Sequence, residues 1–107
     1  MNWRISFCTE KVKAQALALP DGILANFLHI AEMIEKFGPR LGKPFVGSMG
    51  SGLFEIRAKG KEGIGRLLYC RGTGRELVIL HCYIKKSRKT PVRDLKLARQ
   101  RMKEIRK

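Results

Sequence analysis

Long apolar runs are missing from this chain of 107 residues. None approaches the roughly 20 residues that a membrane span requires, and the opening MNWRISFCTE lacks the apolar stretch of a signal peptide. The expected location is the cytoplasm, with no membrane partner. Cysteine is scarce: Cys8, Cys70 and Cys82 form no CxxC pair, leave one odd thiol and have no histidine at zinc spacing. They read as reduced core residues, so neither a disulfide scaffold nor a metal site is expected, and no cofactor is called for. Histidine is limited to His29 and His81, without the imidazole pair that metal-free ribonucleases often use. Acidic side chains are scarce where basic ones crowd. Residues 1–37 carry four basic and four acidic side chains, whereas residues 38–107 carry 19 against five and hold the whole net charge of +14. So lopsided a field attracts polyanions and weakens as salt rises, which makes nucleic acid the first partner to expect.

The length and the 44% hydrophobic content suit a single domain spanning 1–107. Residues 3–7 alternate as a short strand does. Thr9 offers a hydroxyl cap to a helix over 10–19, Pro20-Asp21-Gly22 turns the chain, and a second helix over 23–37 aligns Ile23, Phe27, Ile30, Ala31 and Ile34 on one stripe. So short a turn predicts an antiparallel helical hairpin. Residues 38–52 hold five glycines and two prolines and read as a connector. A phosphate-cradling loop fails there, because GPRLGKP has the wrong spacing and GSMGSG follows a helix and precedes a strand. Three strands are then predicted over 53–59, 64–71 and 76–85, separated by short glycine-containing turns as in an antiparallel meander. Thr90 and Pro91 start a last helix as cap and first helical residue, with Val92, Leu95, Ala98, Met102 and Ile105 as its buried stripe. The fold class is α+β: an N-terminal helical hairpin, an antiparallel sheet of three to four strands and a C-terminal helix.

Alternation puts Phe54, Ile56 and Ala58 on one face of the first of these strands and Glu55, Arg57 and Lys59 on the other. In the last strand Val78, Leu80, Cys82 and Ile84 share a face, opposite Leu77, Ile79, His81, Tyr83 and Lys85. His81, Tyr83 and Lys85 are therefore expected beside Arg57 and Lys59, with Arg66 close by. Residues 85–107 add 11 basic side chains against two acidic, a local balance of +9 that needs a polyanion or an acidic partner to relieve it.

The run GLFEIRAKG, then GRLLY, then ELVILHCYIKKSRKTP and a terminal helix with LARQRMKEI, resembles the phage-derived, HigB-like branch of the RelE/ParE toxin superfamily. The similarity covers roughly the last 55 residues and agrees with the order and length of the preceding helical hairpin. Its most specific part runs from Tyr83-Ile84-Lys85-Lys86 to Thr90-Pro91, followed by the arginine of Gly65-Arg66-Leu67. The resemblance implies a RelE-like fold and the toxin of a type II toxin–antitoxin module. Such a protein enters the ribosome, cuts messenger RNA during translation, and is held inactive by a cognate antitoxin, expected to be of the helix-turn-helix type.

Cutting RNA by attack of a 2′-hydroxyl on the adjacent phosphate needs a proton acceptor, cations for the charge gathering on phosphorus, and a proton for the leaving oxygen; it needs no metal. Arg57 and Arg66 are candidates for clamping the phosphate, because guanidinium forks match its oxygens. Lys85 and Lys86 suit charge stabilisation or proton transfer, and Tyr83 suits base stacking or proton donation. His81 has the right chemistry for proton transfer near neutral pH, while its apolar strand fits a packed, hydrogen-bonded residue equally. Glu55 reads as a proton acceptor or as the ion-pair partner of Arg57 or Lys59. Lys59, Arg88, Lys89, Arg93 and Lys96 are the expected RNA-binding cations. Two other readings fit the charge: a ParE-like inhibitor of DNA gyrase without nuclease activity, and a non-catalytic basic RNA-binding protein.

Overall fold

A computed structural model describes residues 2–86, 88–89 and 91–106. The elements run β1 (Arg4–Phe7), α1 (Glu10–Leu17), α2 (Asp21–Phe37), a 3-10 turn (Gly38–Leu41), β2 (Val46–Gly50), β3 (Leu53–Gly60), β4 (Gly63–Arg71), β5 (Glu76–Ile84) and α3 (Val92–Ile105). Five strands form one sheet in the order β1-β5-β4-β3-β2. The expected meander is its centre: β3 pairs β4 and β4 pairs β5, all antiparallel. At one edge β1 joins β5 in parallel, aligning Arg4 with Glu76 and Phe7 with Ile79.

The sheet lies between two helical layers. On one face α1 and α2 bury Val12, Ala16, Ile23, Phe27, Ile30 and Ile34 against Ile56, Ala58, Leu67, Tyr69, Leu77 and Ile79. On the other, α3 lays Ala98 and Met102 on Leu53, Leu68, Cys70, Val78 and Leu80. Thr9 caps α1 as its sequence promises, its hydroxyl accepting from the Val12 amide at 3.1 Å. The two N-terminal helices do not stack as a tight antiparallel pair. Their axes bend by 118° at the Pro20 turn, so each can rest on the sheet rather than only on the other. No single helix is long and apolar enough to cross a membrane.

Three further expectations need correction. The glycine-rich connector contains an edge strand, β2, antiparallel to β3. Its glycine reflects crowding as well as turning: a Cβ on Gly47 would lie 2.8 Å from the Arg57 Nη2. The segment turns on either side of the strand, with positive φ at Gly38 and Gly42 before it and at Gly50, Ser51 and Gly52 at its end. Second, strict alternation fails in β5. The register shifts between Leu68 and Tyr69, which face His81 and Ile79, so Leu80 is a bulged extra residue. Past the bulge Cys82 joins Leu77 and Ile79 on the α1/α2 side, while Tyr83 packs with Val78 and Leu80 on the α3 side. The bulge carbonyl of Leu80 accepts from Arg101 of α3 at 2.8 Å. Third, the α3 stripe is shifted: Val92 is 67% exposed, whereas Asp94 is buried. The helix begins at Val92 with Pro91 at the cap position, and the Thr90 cap lies outside the described residues.

The cysteines are free. Burial raises all three thiol pKa values, that of Cys82 to about 11, so they remain protonated and unreactive at neutral pH. At the turn between β3 and β4 backbone packs directly on backbone. A Cβ on Gly60 would meet the Ile23 amide nitrogen at 2.5 Å and the Gly22 carbonyl carbon at 2.6 Å, both backbone atoms. Gly60→Ala must therefore push the start of α2 off the sheet. The expected loss is about 1–3 kcal/mol, read from urea unfolding, and a variant as stable as the parent would refute this packing.

Candidate active site

The α3 layer covers only part of its face of the sheet. Beyond its edge, Arg57 of β3 stands opposite Arg66 of β4, and Arg66 opposite Tyr83 of β5. Three side chains expected in the site thus lie abreast on neighbouring strands. Like charges directly opposite repel, and Glu55 resolves the conflict. Its carboxylate accepts from the Arg57 Nε at 2.6 Å and from the Arg66 Nη1 at 3.2 Å. The Glu55 side chain is 2% exposed, that of Arg66 11% and that of Arg57 32%. Each guanidinium is thereby held by a buried anchor, an arrangement that fixes cation positions before any ligand arrives. The ion-pair reading of Glu55 holds, with Arg66 rather than Lys59 as the second partner.

His81 occupies the next position inward, opposite Leu68. Its Nε2 lies 2.5 Å from the Asp94 Oδ1 of α3, and both residues are buried. Its ring stacks on Tyr83 with centroids 5.9 Å apart and planes at 25°. His81 therefore sits behind the tyrosine, joining helix to sheet. Asp94 is the residue beside the candidate site that the sequence reading missed. It falls in the apolar period of α3, and only its pairing with a histidine across the bulge explains its burial. Asp94→Asn should cost about 1.5–3 kcal/mol in urea unfolding, because a charge-assisted bond becomes a neutral one. An unchanged midpoint would show that the pair does not anchor α3.

A cavity of about 380 Å³ opens beside this row, lined by Tyr83, Ile84, Lys86, Pro91, Arg93 and Asp94. Lys86 and Arg93 are thus brought next to the tyrosine. Among the described residues, the Tyr83 hydroxyl is buried without a hydrogen-bond partner. Lys85 continues the β5 pairing, its amide donating to the Ile64 carbonyl at 2.7 Å. Lys59, Arg88, Lys89 and Lys96 are exposed, and none of them lines the cavity. Two other α3 cations are structural: Arg99 donates to the Met49 carbonyl at 3.0 Å, and Arg101 holds the bulge. His29 is exposed on α2, in the neutral half. Among the described residues no three metal-ligating side chains converge. The arrangement offers two anchored guanidinium groups, a phenol and a flanking lysine–arginine pocket, a set suited to gripping a phosphodiester beside a stacked base.

Residues 15–103 match the model of a family described as phage-derived protein, Gp49-like. No curated protein sequence matches the chain significantly. Among solved structures, a chain of the crystal structure of an archaeal RelE–RelB complex from Pyrococcus horikoshii aligns with a TM-score of 0.58. It is 21% identical, and the alignment covers 80% of this chain and 98% of that one. At this identity the likeness is one of fold, and it agrees with the helices, central meander and C-terminal helix described above. The chain belongs to the Gp49-like family of phage-derived proteins, on a RelE-like fold.

Proposed function

We propose that this protein is the toxin of a type II toxin–antitoxin module, a metal-independent endoribonuclease that cuts messenger RNA on the ribosome and so stops translation in the cytoplasm. The observation that carries the reading is the row Arg57, Arg66 and Tyr83, with both arginines anchored on the buried Glu55. In this mechanism the two guanidinium groups clamp the scissile phosphate and oppose the charge that grows on it as the 2′-hydroxyl attacks. Cations fixed in advance stabilise the transition state more than they stabilise bound RNA. Tyr83 stacks a base or moves a proton through its hydroxyl, and Lys85 and Lys86 add charge or carry the second proton. His81 acts through Tyr83, whose ring it supports. Lys59, Arg88, Lys89, Arg93 and Lys96 hold the strand by its backbone. With no imidazole pair in the chain, the ribosome must supply much of the alignment of the RNA.

The test maps messenger RNA ends by primer extension in a bacterial translation extract, with and without ribosomes. New ends that require ribosomes are the expected result. Intact RNA together with inhibited gyrase supercoiling would replace this reading with the ParE-like one.

A cognate antitoxin belongs to the same proposal, supported by the RelE–RelB neighbour and by the local balance of +9 in residues 85–107. An acidic or amphipathic segment laid across the basic sheet face and α3 would relieve that charge. Titrating the chain with the product of the neighbouring reading frame should give a tight complex that competes with RNA. Equal RNA binding by the complex and by the free chain would refute this mode of control.

A further inference from the structure

At the opposite end of β4 lies a second cluster of cations that the site above does not use. Arg71, Arg75 and Arg40 line a cavity of about 520 Å³ together with Trp3 and Phe37, and its lining contains no carboxylate. Arg71 is five residues beyond Arg66 on β4, about 17 Å at the usual strand rise of ~3.4 Å per residue. It also points to the other face: Leu67 and Tyr69 pack toward α1 and α2, and Arg71 continues that alternation. A strand gripped by Arg66 and Tyr83 therefore cannot enter this cavity through the same groove.

The cluster is built around aromatic rings. The Arg71 guanidinium lies over the Trp3 ring, 4.9 Å from its centroid. Gly38, with φ of +73°, ends α2 and leaves room for that ring, since a Cβ there would lie 2.5 Å from the Trp3 Nε1. Trp3 is fixed by its amide, which donates to the Glu35 carbonyl at 2.9 Å. Phe37 stands beside it, 64% exposed, an uncommon amount for a large aromatic residue. The nearby carboxylate of Glu76 is engaged by Arg4 at 3.4 Å and Ser6 at 3.1 Å.

We propose that this cavity is a second RNA contact, in which Arg40 and Arg71 take a backbone phosphate and the exposed face of Phe37 stacks an unpaired base. Guanidinium groups interleaved with open aromatic rings are the chemistry that holds single-stranded RNA. The inference rests on the reading that the chain acts on RNA. It adds that the protein touches RNA on two faces at once, so that one segment is cut while another is held.

The chain's single tryptophan lies in the cavity and reports on it. An unstructured single-stranded RNA of about twelve nucleotides, a length within the site sizes of single-strand binders, is titrated without ribosomes. It should quench Trp3 emission in the parent and in Arg66→Ala alike. Phe37→Ala should weaken that quenching phase about tenfold, as loss of one stacked base does. Arg40→Ala should lower the log–log salt slope by about 0.7, the value for one phosphate contact on a single strand. Both residues are exposed, so both variants should keep the parental circular dichroism. RNA binding with unchanged Trp3 emission, or unchanged binding in both variants, would overturn the proposal. Quenching lost in a folded Arg66→Ala would also overturn it, by tracing the signal to the other face. Quenching by polyglutamate but not by RNA would make the cavity a protein-docking site instead. Because no cleavage is measured, failure of the nuclease reading and failure of this one are separate results.

Discussion

Glu55→Ala is expected to lower the unfolding free energy by about 3–5 kcal/mol, the usual cost of removing one partner from a buried ion pair. Such a loss is a large fraction of the roughly 5–15 kcal/mol that holds most domains together. The reason lies in what remains. Arg57 and Arg66 are direct cross-strand neighbours, and the Arg66 side chain is nearly buried, so removing the carboxylate sets two like charges against each other with little water between them. Urea unfolding of Glu55→Ala, Glu55→Gln and the double variant Glu55→Ala with Arg66→Met apportions the effect. The glutamine variant keeps the shape and loses the charge, so it should fall between the parent and Glu55→Ala. The double variant should regain part of the loss, since it removes one of the two opposed cations as well as the carboxylate. A loss below about 1 kcal/mol in Glu55→Ala, or a double variant less stable than Glu55→Ala alone, would show that the carboxylate is not what reconciles the two arginines.

The second large effect is on activity. Arg66→Lys keeps a charge on β4 but replaces a planar fork with a single ammonium, so it tests geometry rather than charge. Ribosome-dependent cleavage should fall about 10²–10³-fold, the range seen when one preorganised donor to a developing charge is removed. Tyr83→Phe separates the two roles open to the tyrosine. If the hydroxyl moves a proton, cleavage falls by roughly 10²-fold or more while the ring stack on His81 survives. If the ring only stacks a base, cleavage stays within a few-fold of the parent. Both variants should unfold near the parental midpoint. A folded Arg66→Lys with parental cleavage would show that the guanidinium fork is not needed and would leave Arg66 at most a point charge in the mechanism.

Much of the fold could be read from local pattern, and the exceptions share a cause. Thr9, the α2 stripe and the three central strands are encoded within a few residues of themselves, so periodicity and capping find them. The parallel pairing of β1 with β5 depends on residues 72 apart and leaves no local trace. β2 was hidden because Gly47 makes room for a side chain of β3, and glycine normally argues for a turn. Of the candidate site, alternation along β3 exposed Arg57 opposite an apolar face, whereas β4, apolar on both sides, gave no orientation for Arg66, and in β5 alternation grouped Tyr83 with Leu77 and Ile79. The bulge at Leu80 was not legible, although it returns Tyr83 to the α3 side, and Asp94 passed unnoticed because its partner lies across that bulge. A charged residue inside an apolar period is the signal that would have found it.

The strand order has a consequence for how the chain is born. β5, among the last elements to be synthesised, sits inside the sheet between β1 and β4, and it carries Tyr83. While the growing chain emerges, β1 has no neighbour to pair with, and closing the loop back to residue 76 costs entropy that only the finished strand can offset. The row of arginines and tyrosine therefore cannot assemble on a partial chain. A ribosome making this protein completes nearly the whole polypeptide before the product acquires the surface that would act on RNA.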